Sequence, residues 1–198
     1  HCLLAGEEDV PPYECDGLTA YREAPLVVAL PETEEQVAAV LKACHGLQVP
    51  VVARGAGTGL SGGAMPHRMG VTLALAKFNR ILKVDKASRT AVVQCGVRNL
   101  AISEAAAPLG LYYAPDPSSQ IACTIGGNVA ENSGGVHCLK YGLTLHNVLE
   151  VRGFTVEGEP VVFGGKALDA PGLDLLPLMV GSEGMLAVIT EVTVKLVP

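Results

Sequence analysis

The sequence predicts an α+β fold, and three observations carry that prediction. A helix with its own start signal lies between two short apolar runs in residues 26–53. Two pairs of strand-like runs follow, each joined by a short turn. Residues 188–196 alternate, with Val188, Thr190, Val192, Val194 and Leu196 set against Ile189, Glu191, Thr193 and Lys195. A strand, a helix and a strand in succession form a βαβ unit with parallel strands. Short turns between apolar runs read as antiparallel hairpins, and period-2 alternation reads as a half-buried strand.

Residues 1–25 form an irregular lead-in containing Glu7-Glu8-Asp9, Pro11-Pro12 and Asp16-Gly17. Residues 26–30 are the first strand, ended by Pro31. Thr33-Glu-Glu-Gln36 is a capping box that opens a helix. Val37, Val40, Leu41, Cys44 and Leu47 fall on one face of it, and Gly46 marks its end. Residues 49–53 and 71–75 are the next strands, and 81–85 with 90–95 form a hairpin around 86–89. Asn99 is placed to cap a second helix running to Leu109, with Pro108 shortening its last turn and Gly110 just beyond. Residues 113–141 are loop-rich, and 147–155 with 160–163 form a second hairpin turning at Glu157-Gly158.

Of the 198 residues 49% are hydrophobic, enough for a sizeable core and too many for a disordered chain. The net charge is −6 with no basic run, which argues against a nucleic-acid partner. No window approaches a membrane-spanning apolar length, so no membrane span is predicted. The chain starts at His1 and stops at Pro198 just after a strand-like run, so it reads as a piece of a longer protein. None of the six cysteines forms a Cys-x-x-Cys pair, and His67, His137 and His146 are isolated, so no metal site is expected. Most of the cysteines sit among apolar neighbours and read as small buried hydrophobes, with a reducing cytoplasm as the default compartment. Glu131 and Glu183 are single carboxylates, and no Gly-x-Ser-x-Gly elbow occurs, so no catalytic residue is assigned within this chain.

Three loops carry the chemistry. The first is Arg54-Gly-Ala-Gly-Thr-Gly-Leu-Ser-Gly-Gly63, directly after a strand. Glycines permit positive φ and close approach, and successive bare N–H groups form a nest for an anion such as a pyrophosphate. Arg54 adds charge, and Thr58 and Ser61 add hydroxyls. Gly57-x-Gly59-x-x-Gly62 formally matches the nicotinamide-dinucleotide fingerprint, which also requires a helix at the third glycine. Here Gly63, Pro66 and Gly70 precede a strand, so that reading is disfavoured. The second loop joins Pro115-Asp-Pro-Ser-Ser119, Thr124-Ile-Gly-Gly-Asn128, Asn132-Ser-Gly-Gly135 and Lys140-Tyr-Gly142. This polar, glycine-dense run lies between apolar strands and suits a flat heterocycle with several hydrogen-bonding edges. The third loop, Gly181-Ser-Glu-Gly184, is a tight turn before a strand, structural when taken alone.

In these motifs, their order and their spacing, the chain from about Tyr21 onward resembles the PCMH-type FAD-binding domain of vanillyl-alcohol-oxidase-like oxidoreductases. It is most similar to the glycolate oxidase D subunit and FAD-dependent D-lactate dehydrogenase family. The resemblance implies two α+β subdomains, a small βαβ one at 26–80 and a larger mixed-sheet one at 81–198, with FAD between them. It implies that Arg54, Gly55, Gly57, Thr58, Gly59 and Ser61 hold the pyrophosphate. Pro115, Asp116, Ser118, Thr124, Gly127, Asn128 and Ala130 would line the flavin ring and ribityl chain, and Glu183, Gly184 and Ile189 the adenosine end. The first loop has no histidine for a covalent link, so FAD is expected to be non-covalent. Met185 and Ala187 stand where the family more often has small residues.

The activity implied is oxidation of a small 2-hydroxy acid, glycolate or D-lactate, by hydride transfer to FAD. The substrate domain lies outside this chain, so these residues alone are expected to be inactive. The resemblance also implies a second flavin-type subunit and an iron–sulfur subunit as partners, and a cytoplasmic place, peripheral at the inner face of the cell membrane through those partners. The competing readings are a non-catalytic flavin or electron-transfer module and a NAD-type dinucleotide domain.

Overall fold

The computed structural model describes residues 2–165, 167 and 172–198; His1 of the lead-in lies outside the described residues. Two sheets form. The first runs in the order β1-β2-β4-β3, from β1 (Leu3–Leu4), β2 (Val27–Ala29), β3 (Val51–Arg54) and β4 (Val71–Ala74). β2 and β3 each pair with β4 in parallel, while β1 adds to the edge antiparallel. The βαβ unit is therefore present, with β4 inserted between its two strands. The lead-in is less irregular than expected, since it supplies β1 and a 3-10 turn at Pro11–Tyr13. A two-residue strand has no periodicity to read; it exists because β2 offers it an edge.

The helix of the unit is α1 (Glu34–Leu47). Thr33 sits in extended backbone and its Oγ1 accepts from Gln36 N at 3.4 Å. Gln36 Oε1 accepts in return from Glu32 N at 2.7 Å, one residue earlier than the standard box. Val37, Leu41 and Cys44 are buried, whereas Leu47 is 75% exposed. Gly46 lies inside the last turn, and Gln48, at φ 55°, takes the left-handed closing position.

The second sheet runs in the order β5-β6-β9-β7-β8, from β5 (Ile81–Asp85), β6 (Thr90–Gln94), β7 (Val148–Phe154), β8 (Pro160–Gly164) and β9 (Val188–Lys195). Where the resemblance led to a mixed sheet, these pairings are all antiparallel: β5–β6 and β7–β8 are hairpins, and β9 returns between them. The β7–β8 turn closes at Gly158, φ 75°, whose N–H donates to Thr155 O at 2.9 Å.

One apolar core joins both sheets: Ala29 and Leu73 from the first, Val37 and Leu41 from α1, and Val93, Val151 and Val192 from the second. Each fully buried aliphatic side chain of this kind contributes about 1.5–3 kcal/mol. Thr190 Oγ1 of β9 also donates to Glu34 Oε1 of α1 at 2.7 Å, tying the helix to the second sheet.

The remaining helices are short. α2 (Asn99–Ala106) passes into a 3-10 turn at Ala107–Leu109 and ends at Gly110, φ 73°, as Pro108 and Gly110 require. The loop-rich stretch contains α3 (Ile125–Glu131) and α4 (Cys138–Tyr141), and α5 (Leu176–Met179) precedes β9. After Gly62 the chain makes a turn, Met65 N to Gly62 O at 3.0 Å, and enters β4 without a helix. The nicotinamide-type arrangement, which places a helix N-terminus there, is thereby removed. Among the described residues no helix is long and apolar enough to cross a membrane.

Candidate functional site

The loop that leaves β3 forms one wall of a cleft of about 510 Å³. α3 with the segment that leads into it, the third loop, Leu75 after β4, Cys95 after β6 and Ile189 of β9 also line it, so the cleft lies between the two sheets. Three local devices shape it.

The glycine loop is held from the lead-in. Arg54 is only 7% exposed, and its guanidinium donates to the carbonyls of Cys15 at 2.8 Å, Ala64 at 3.2 Å and Pro12 at 3.5 Å. It also stands 5.7 Å from the Tyr13 ring centroid. Burial pushes the guanidinium below its ordinary pKa, and Cys15, Asp16 and Tyr13 oppose that shift. Buried Asp16 accepts from Gly62 N at 2.8 Å and from Leu18 N at 2.9 Å. A Cβ at Gly17 would meet the carbonyl oxygens of Thr58 and Gly59, each at 2.9 Å. Residues 12–18 are therefore a brace for the loop, a role the sequence signals only through the dipeptide Asp16-Gly17.

The brace leaves the loop backbone free. Among the described residues, no acceptor engages the N–H groups of residues 55–61. Seven consecutive unbonded amides line the cleft wall, a nest of the kind that binds anions. Two glycines are required here sterically. A Cβ at Gly55 would lie 2.3 Å from Thr124 Oγ1, and one at Gly57, φ 69°, would lie 2.2 Å from Arg54 Nη2.

The facing wall is α3. Thr124 is its N-cap, with Oγ1 accepting from Gly127 N at 3.4 Å. Gly126 packs against Cys95 and donates its N–H to Cys95 O at 2.8 Å. Burial drives the Cys95 thiol up to about 12, so this part of the lining is neutral and apolar. Asn99, expected to cap α2, does not; Arg98 takes the N-cap position without a side-chain bond. Asn99 points instead into the interior, where Nδ2 donates to Pro115 O at 2.9 Å and Oδ1 accepts from Asn128 Nδ2 at 2.8 Å. At the end of α3, Glu131 Oε2 accepts from Ser61 Oγ at 2.9 Å, linking the two walls. The third loop docks on the same helix, with Gly181 N donating to Val129 O and Glu183 N to Ala130 O. Glu183 at φ 53° and Gly184 at φ 75° make its turn.

The structure brings most of the predicted site residues together on this cleft. Arg54, Gly55, Gly57, Thr58, Gly59 and Ser61 of the first loop line it, as do Ser118, Thr124, Gly127, Asn128 and Ala130 of the second and Glu183, Gly184 and Ile189 of the third. Pro115 and Asp116 do not. The Pro115 carbonyl is engaged by Asn99, and Asp116 accepts from His137 N at 3.0 Å and pairs with His137 Nδ1 at 2.7 Å. Glu131, noted in the sequence only as a single carboxylate, also lines the cleft, as do Ser133, Cys95 and Cys123. Ser133 falls within a quoted motif, but the cysteines carry no local signal. Among the described residues no cluster of metal ligands occurs.

A row of free amides on one wall of a cleft between two sheets is suited to the phosphates of a dinucleotide. The chain belongs to the FAD binding domain family, whose model matches residues 25–164, and FAD is the cofactor this fold takes. The glycolate oxidase subunit GlcD of Escherichia coli K12 is 64% identical over 196 residues, which is 99% of this chain and 39% of that protein. A D-lactate dehydrogenase of Archaeoglobus fulgidus is 42% identical over 173 residues, 87% of this chain and 39% of its own length. A solved structure of alkyldihydroxyacetonephosphate synthase superposes with a TM-score of 0.86 at 24% identity, covering 99% of this chain and 38% of that one, and shares the fold. The chain thus spans about two-fifths of the length of these relatives.

Proposed function

We propose that this chain is the FAD-binding part of an oxidoreductase that acts on a small 2-hydroxy acid, glycolate or D-lactate. The observation that carries the reading is the run of amides at residues 55–61 with no acceptor among the described residues, beside glycines that admit no side chain. A pyrophosphate offers the acceptors this row lacks. Gly55, Gly57, Thr58, Gly59 and Ser61 present that backbone, and Arg54 holds its shape from behind while adding positive charge. Ser118, Thr124, Gly127, Asn128 and Ala130 fit the flavin and ribityl part, and Glu183, Gly184 and Ile189 the adenosine end. Pro115 and Asp116 support this wall from outside the cleft. No side chain of the first loop is a histidine, so the group is held without a covalent bond.

When bound, FAD supplies the two-electron acceptor for the hydride of the 2-hydroxy acid. The chain's own residues bind and orient it, and Cys95 and Ile189 give one part of its surroundings a neutral, apolar face. The substrate-gripping groups belong to the rest of the protein. The relative that is named as a subunit of glycolate oxidase supports assembly with other subunits, here a second flavin-type subunit and an iron–sulfur subunit. Through them the protein would sit in the cytoplasm at the inner face of the membrane. Anaerobic addition of glycolate or D-lactate to the full-length FAD-loaded protein tests this. Bleaching of the flavin absorbance by either acid is the expected result, and a spectrum unchanged by both would overturn it.

A further inference from the structure

Asn128 and Asn99 are 2% and 1% exposed, and their side chains form a chain of hydrogen bonds that ends on a backbone carbonyl. That end point fixes the direction of every link. The Pro115 carbonyl can only accept, so Asn99 must turn Nδ2 toward it. Asn99 Oδ1 then faces Asn128, which must answer with its own Nδ2. Asn128 Oδ1 is left over. It has no partner among the described residues, yet it is not one of the buried side-chain atoms sealed without a partner, which are Thr72 Oγ1 and Tyr113 OH. Asn128 lines the cleft. The amide therefore offers the cleft an acceptor, in an orientation it cannot reverse without breaking the buried bond to Asn99 or, if Asn99 turns with it, the one to Pro115.

We infer that Asn99 is a positioning residue that locks Asn128 so that its Oδ1 accepts from a hydrogen-bond donor of the flavin portion of FAD, either the ring N3–H or a ribityl hydroxyl. This rests on the FAD reading above. The side chains of Asn99 and Asn128 thereby link α2 and α3 to the carbonyl that precedes Asp116, and the cleft selects for a donor at that point. A site built to receive a donor discriminates against an analogue without it, because the buried acceptor is left unpaired.

The test measures binding of FAD, N3-methyl FAD and FAD analogues lacking single ribityl hydroxyls to the full-length protein, by flavin fluorescence quenching. One analogue should bind about three- to tenfold more weakly than FAD, and which one identifies the donor. In Asn128→Leu that ratio should fall to one. In Asn99→Leu it should also fall toward one, because the Asn128 amide is free to turn. A merely structural role for Asn99 would weaken FAD and the analogue equally and leave the ratio unchanged, which overturns the inference. The wild type alone also decides: equal binding of FAD and every analogue overturns it even if the variants do not fold. Failure of the wild type to bind FAD at all overturns instead the reading on which the inference rests.

Discussion

Replacing Gly57 by alanine asks whether the glycine loop and its brace act as one unit. Gly57 has φ 69°, a region that costs an L-residue about 1–2 kcal/mol. The new Cβ would stand 2.2 Å from Arg54 Nη2 and 2.6 Å from Cζ, so the guanidinium must move. An ordinary contact needs a shift on the order of 1 Å. Such a shift breaks at least one of the bonds to Cys15 O at 2.8 Å and Ala64 O at 3.2 Å. Hydrogen bonds from a charged group contribute about 1.5–3 kcal/mol each. Gly57→Ala should therefore cost on the order of 3–5 kcal/mol, a large share of a typical total. Urea unfolding of the FAD-free protein measures this, with Gly46→Ala as control. Gly46 lies inside α1 with nothing within 4 Å of an added Cβ, so that change should stabilise by about 0.5–1 kcal/mol. A Gly57→Ala loss below about 1 kcal/mol, with FAD affinity unchanged, would refute the coupling of Arg54 to the loop.

The other predictions concern the cleft, α1 and the thiols. Glu131→Gln removes a negative charge bonded to Ser61 beside the amide row, and should tighten FAD binding about threefold in a titration at low salt. The gain should shrink as ionic strength rises. Thr33→Ala removes a cap bond of 3.4 Å and should lower stability by about 0.5–1 kcal/mol in urea unfolding. At pH 8 a thiol reagent should label the half-buried Cys2, Cys15 and Cys138 of the folded protein, and reach the buried Cys44, Cys95 and Cys123 only on unfolding. Burial holds the Cys95 thiol protonated up to about 12 against an ordinary 9.0, so the folded state keeps a proton the unfolded state releases. Its contribution to stability is complete below pH 9 and is lost as pH rises from 9 toward 12, which unfolding curves across that window should show.

What the sequence reveals, and what it hides, follows the range of the forces involved. α1, the two hairpins and β9 are legible because capping, turn chemistry and periodicity are local. The glycine loop is legible because five of its ten residues have no side chain. α3 is hidden, since Gly126, Gly127 and Asn128 are poor helix formers. It forms through contacts far away in the chain, with Gly126 against Cys95 and the third loop bonded to its last turn. Asn99 looks like a cap by position, yet a buried partner at Asn128 and a carbonyl at Pro115 claim its side chain. Arg54 looks like a phosphate ligand by position, yet its guanidinium is bonded to carbonyls of the lead-in and the loop. The brace at residues 12–18 depends on contacts about forty positions away, which no local pattern encodes.

Amide hydrogen exchange at residues 55–61 tests the central claim most directly. These N–H groups have no acceptor among the described residues, so without cofactor they should exchange quickly. Saturating FAD should protect several of them strongly, while riboflavin, which lacks the pyrophosphate, should leave them unprotected. Tight FAD binding with residues 55–61 still exchanging freely would contradict the account, because the pyrophosphate would then be held elsewhere.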